Sequence, residues 1–266
     1  MADITEKELN ELVEALRPLI GVQLDILRIP FEVLAGFEPS QIGTIVGTLM
    51  DASIPLLHLL TEHKELLANL GLAKHEGILK DREGYPDYLH KSGKRLELKL
   101  LYVDPVNVKM KKPSTPREPS ARLTQKVTVK NVVPERDALL VIAYQLQPAK
   151  DNPVVYVATI IDIGIFSTIE CIRARDKRLE VCGGRWFGNY ETPAILSKVG
   201  RAKIKNNIAL DHSMYGRKES EGRDYNEDTN FGKLNRIPYS PLQKFLASHS
   251  IPNDGEESAD GGASGQ

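Results

Sequence analysis

Gly84-Tyr85-Pro86-Asp87-Tyr88-Leu89-His90-Lys91-Ser92-Gly93-Lys94-Arg95-Leu96-Glu97-Leu98-Lys99-Leu100-Leu101-Tyr102-Val103 consists of two short alternating runs around a Ser-Gly turn, the pattern of a β-hairpin. Strand side chains alternate, so the second run carries Glu97, Lys99, Leu101 and Val103 on one face and Leu96, Leu98, Leu100 and Tyr102 on the other. The loop decides where Asp87 falls. A two-residue turn at Ser92-Gly93 pairs Asp87 with Leu98 and sends it to the wrong face, because a one-residue slip inverts every side chain. A three-residue loop, Lys91-Ser92-Gly93 with Gly93 left-handed as a bulge, pairs His90 with Lys94 and sets Asp87 directly against Glu97. The second arrangement is expected. Directly opposed residues hold their Cβ atoms roughly 4.5–5.5 Å apart, so two carboxylates meet. That is unfavourable unless a cation neutralises them, and a hard oxygen pair beside water suits Mg²⁺.

Pro86-Asp87 followed by Glu97-Leu98-Lys99 resembles the motif of the PD-(D/E)xK nuclease superfamily, and within it the pattern looks most like a type II restriction endonuclease. The resemblance implies an α/β fold, a restriction-endonuclease-like central mixed β-sheet flanked by helices. It implies Asp87, Glu97 and Lys99 as catalytic residues, with Mg²⁺ held by Asp87, Glu97 and the backbone carbonyl of Leu98. Lys99 would orient or help deprotonate the attacking water. In-line attack on phosphorus would leave 5′-phosphate and 3′-hydroxyl ends. Restriction enzymes of this kind commonly act as homodimers on palindromic double-stranded DNA.

The chain has 266 residues, enough to bury a full core as one large domain or two small ones. A net charge of -1 argues against a uniformly basic nucleic-acid coat protein but not against a nuclease, for which the distribution of charge matters. Cys171 and Cys182 have neither metal-ligand spacing nor a partner pair and read as buried thiols of a reducing compartment. With no basic-then-apolar leader and no long apolar run, a cytoplasmic protein without a membrane segment is expected.

Residues 1–75 read as a helical N-terminal region for packing or dimerisation. Pro18, Pro30, Pro39 and Pro55 mark breaks or starts between helices. Thr5 and Glu8 form a capping box before the stripe Leu9, Leu12, Val13, Leu16 and Ile20. Gly43 and Gly47 allow close packing. A helix from Leu56 to Leu70, stopped by Gly71, carries Glu62 and Glu65. Either could be the extra metal acid often found on an upstream helix in families with this motif.

Residues 76–182 read as the nuclease core. From Pro105 to Arg136 the local charge is +6, and Pro113, Pro116 and Pro119 forbid regular structure in the first half. A mobile basic loop there, leading into a short element at Ala121 to Lys130, would grip a phosphate backbone, with Lys111, Lys112, Arg122 and Lys126 as the contacts. Ala138 to Leu146 and Val154 to Phe166 are near-continuous apolar runs, expected at the centre of the sheet with the hairpin beside them. Ser167 and Glu170 cap a helix to about Arg178. In residues 183–251, the DNA-contacting C-terminal region, Arg185 and Asn189 are the residue types shaped for guanine and adenine edges. Thr192-Pro193 reads as a helix start with Gly200 as its stop. Residues 252–266 form a Gly-, Ser- and acid-rich disordered tail. Two other readings remain open: a repair or recombination nuclease that recognises DNA structure, and a DNA-binding protein without catalysis.

Overall fold

A computed structural model describes residues 2–59, 64–75, 84–105, 107–111, 119, 121–123, 127–181, 185–187, 192–194, 202, 205–206, 217–218, 223–224 and 232–249. It is a mixed α/β structure built on a six-stranded sheet. The strands are β1 (Gln23–Pro30), β2 (Leu72–Lys74), β3 (Tyr88–His90), β4 (Arg95–Val103), β5 (Asp137–Pro148) and β6 (Val155–Ser167). Their spatial order is β1-β6-β5-β4-β3-β2, with β4 and β5 parallel and every other pair antiparallel. The two long apolar strands lie side by side within it, and the hairpin strand β4 flanks β5, as the near-continuous apolar runs predict.

Each face of the sheet has its own core. Leu98, Leu140, Ile142 and Tyr144 pack with Leu12 and Leu16 of α1 (Glu6–Leu16) and Ile42, Val46 and Met50 of α3 (Pro39–Ser53). Between these helices lies the short α2 (Phe31–Ala35). On the other face Leu101, Leu139, Val141 and Ala143 pack with Ile169 and Ile172 of α5 (Thr168–Val181) and with Leu242 and Leu246 of the C-terminal helix (Ser240–Ser248). Covering both faces explains why β5 is apolar at successive positions. The α3 glycines serve the sheet, not another helix. A Cβ on Gly43 would sit 3.0 Å from Cγ of Tyr102, and one on Gly47 would sit 3.0 Å from the Tyr144 hydroxyl. That hydroxyl donates to the Gly43 carbonyl at 2.9 Å.

Two expectations are corrected. Gln23–Pro30, inside the region read as helical, is edge strand β1, and β2 also falls within 1–75. Its register on β6 shifts between Leu24 and Ile29, so the apolar residues lose strict alternation and fall at spacings that imitate a helix. Pro30 ends the strand at the sheet edge, where a missing N–H is tolerated. Thr192–Ala194 is a short strand antiparallel to Arg185–Phe187, not a helix start. The 252–266 tail, Cys182 and the segment around Gly200 lie outside the described residues. Among the described residues no helix is long and apolar enough to cross a membrane.

Candidate active site

The hairpin loop is the three-residue form. Gly93 has φ +82°, where a side chain would be strained. The His90 N–H donates to the Lys94 carbonyl at 2.8 Å, and the Gly93 N–H to the His90 carbonyl at 2.8 Å. From behind, the Lys91 N–H donates at 2.8 Å to the carbonyl of Gly71, itself left-handed at the end of α4 (Leu66–Leu70). Tyr88 pairs with Leu96 and Leu89 with Arg95. The next N–H, that of Asp87, turns to the Leu96 carbonyl at 3.0 Å, so the regular ladder ends before Asp87. The expected direct pairing with Glu97 is replaced by an irregular step that still leaves the two carboxylates close enough to interact.

Past the end of β3 the two arms are joined through a side chain. The Leu98 N–H turns to the Asp87 side chain and donates to Oδ2 at 2.7 Å, fixing that carboxylate beside the end of β3. In an extended strand the carbonyl of Leu98 projects to the same side as its N–H. Glu97 is 3% exposed. Its Oε1 accepts from Lys99 Nζ at 2.6 Å, and its buried Oε2 has no hydrogen-bond partner. Burial raises the Glu97 carboxyl to about 7, against the lowering effect of Lys99 and with a further push from Asp87. Burial also disfavours the Lys99 ammonium, but Glu97, Asp87 and Asp51 outweigh it and hold its pKa above the ordinary lysine value.

Behind the acids lies a buried anchor that the sequence did not disclose. Asp137, the first residue of β5, accepts from the Tyr85 hydroxyl at 2.5 Å, from Arg95 Nε at 2.5 Å and from the Val133 N–H at 2.9 Å. Tyr85 lies two residues before Asp87, and Arg95 two before Glu97. The network therefore pins both arms of the motif to the parallel neighbour strand. Burial and the Asp137 charge raise the Tyr85 phenol well above its usual value.

An orphaned buried carboxylate oxygen, a second carboxylate beside it and the Leu98 carbonyl on the same side of its strand as the N–H that holds Asp87 fit a hard divalent cation, which takes one or two carboxylates and fills its other positions with water or substrate. Among the described residues no group of three His, Cys, Asp or Glu side chains is placed to hold a metal. Of the upstream acids considered, Glu62 lies outside the described residues, and Glu65 is exposed at the N-terminus of α4. Among the described residues, a helix acid whose charge reaches the site is Asp51, in the last turn of α3, which adds to the burial that raises the Tyr88 phenol and works against the burial that disfavours the Lys99 ammonium. It is the only charged residue of that helix, a signal visible in the sequence.

The candidate DNA contacts are only partly described. Lys111 is exposed, with its N–H on the Phe37 carbonyl at 3.1 Å, and Arg122 is exposed in a bridge to Lys233. Both belong to the connection from β4 to β5. Lys112, Lys126, Asn189 and the side chain of Arg185 lie outside the described part. Compared with models of known families, with curated proteins and with solved structures, the chain matches none.

Proposed function

We propose that the protein is a Mg²⁺-dependent endonuclease that hydrolyses phosphodiester bonds of double-stranded DNA at a specific sequence, in the manner of a type II restriction enzyme. The observation that carries the proposal is the Asp87 carboxylate, held by the Leu98 N–H, beside that of Glu97, with Glu97 Oε2 buried and unpartnered and Lys99 on Oε1. A mixed sheet with helices on both faces is compatible with the arrangement that the motif implies.

Asp87, Glu97 and the Leu98 carbonyl would hold the cation, which when bound supplies Lewis-acid stabilisation of phosphate charge and lowers the pKa of a bound water. The chain's own residues do the rest. The Leu98 N–H orients Asp87, and the surrounding core desolvates Glu97, whose Oε1 is taken by Lys99 and whose Oε2 is left for a cation. Lys99 holds a proton donor beside the acids, where it can orient the attacking water and offset charge on the phosphate. Arg185 and Asn189 would read bases, and Lys111, Lys112, Arg122 and Lys126 would bind phosphates. Two copies of the chain would match a palindromic site.

The test is incubation of purified protein with a long plasmid and Mg²⁺, followed by sequencing of the ends. Fixed ends with 5′-phosphates support the proposal. Ends at varied sequences favour a structure-specific repair or recombination nuclease, and metal-independent binding without cutting favours a DNA-binding protein.

A further inference from the structure

We infer that Lys74 is a substrate-positioning residue whose ammonium takes a DNA backbone phosphate beside the bond that is cut, an inference that rests on the nuclease reading above. Two lysines stand at the acid pair, and they are not equivalent. Lys99 lies 2.6 Å from Glu97 with its side chain 16% exposed. Lys74 stops 3.8 Å from Asp87 Oδ1, beyond hydrogen-bond reach, with its side chain 52% exposed. Its Nζ sits over the Tyr88 ring, 5.0 Å from the centroid.

Strand order brings it there. Lys74 pairs with Tyr88, and the N–H of the next residue, His75, donates to the Asp87 carbonyl at 2.9 Å. Lys74 is thus one row from the acids, at the solvent side of Asp87. A phosphodiester approaching two carboxylates meets like charge, and a cation on the outer side of Asp87 offsets it. An exposed ion pair of this length is worth little. The ammonium can therefore pass from Asp87 to a phosphate without breaking a hydrogen bond, while the aromatic face limits where it swings. Lys99, packed against Glu97, stays within the site.

The experiment compares wild type, Lys74→Ala and Lys74→Arg in two assays: duplex binding without divalent metal over a salt series, and plasmid cleavage over a Mg²⁺ series. Lys74→Ala should weaken binding roughly tenfold at low salt and reduce the slope of log affinity against log salt by about one, while Lys74→Arg retains both. The Mg²⁺ concentration for half-maximal cleavage should not rise in either variant. Wild-type affinity and slope in Lys74→Ala would overturn the inference. So would an increased Mg²⁺ requirement with binding intact, because that outcome makes Lys74 a support for Asp87 alone. If wild-type protein neither binds nor cuts duplex DNA, the nuclease reading falls and this inference with it. If wild type cuts and Lys74→Ala behaves identically, only the inference falls.

Discussion

Asp137 is 1% exposed and accepts hydrogen bonds from Tyr85, Arg95 and Val133, so its loss strands the Arg95 guanidinium in the interior. Breaking a buried pair by removing one partner costs about 3–5 kcal/mol. Asp137→Ala should lose that much stability in urea denaturation, and a loss below about 1 kcal/mol would show that water reaches Arg95. Glu97 differs, because its proton is held more tightly in the folded chain than in the unfolded one, with a folded pKa of about 7. The metal-free fold therefore loses stability as pH rises from the ordinary glutamate range through that value. A cation competes with the same proton, so the rise in Tm given by Mg²⁺ should be larger at about pH 8 than at about pH 6. In Glu97→Gln that difference should disappear. Equal gains at both pH values in the wild type would mean that the ion binds elsewhere. Lys99 beside Glu97 was legible because a strand obeys a period of two, and Gly93 named the loop, whereas the irregular step at Asp87, whose N–H turns to the Leu96 carbonyl, was not. Tyr85, Arg95 and Asp137 were not, because Asp137 is 42 residues beyond Arg95 and only parallel pairing brings them together.

Helix α3 lies against the sheet through two glycines, and its last turn carries Asp51 toward Lys99 and Tyr88. A valine at position 43 must displace the Tyr102 ring, and overpacking of this kind costs about 1–3 kcal/mol. Gly43→Val should show that loss in urea denaturation, with cleavage reduced further because Asp51 moves with the helix. Unchanged stability would mean that α3 can shift freely on the sheet. The spacing of Gly43 and Gly47 revealed a close approach but not its partner, since Tyr102 and Tyr144 reach the helix only after β4 and β5 pair. Strand β1 was hidden by its irregular register. Proline after threonine at 192–193 suits a helix start and an edge strand alike, and pairing with Arg185–Phe187 decides for the strand.

At the scale of the molecule, the mixed sheet was legible at its centre, where apolar runs need cover on both faces, and obscure at its edges. Lys74 and Asp51 illustrate why: one sits on a three-residue strand and the other at a helix end. Asp51 stands out as the lone charge of its helix, but no neighbour in the sequence ties either residue to the acid pair, which both reach only through the order of elements around it. The central claim is that this convergence cuts DNA, and the most direct measurement is plasmid cleavage with Mg²⁺ by wild type, Asp87→Ala and Lys99→Ala, each first shown to be folded by circular dichroism. Asp87 and Lys99 lie at the edge of the core, so both variants should fold. Wild type should cut, and each variant should lose about a hundredfold or more in rate. Full cutting by either folded variant, or no cutting by wild type on any duplex, would contradict the account.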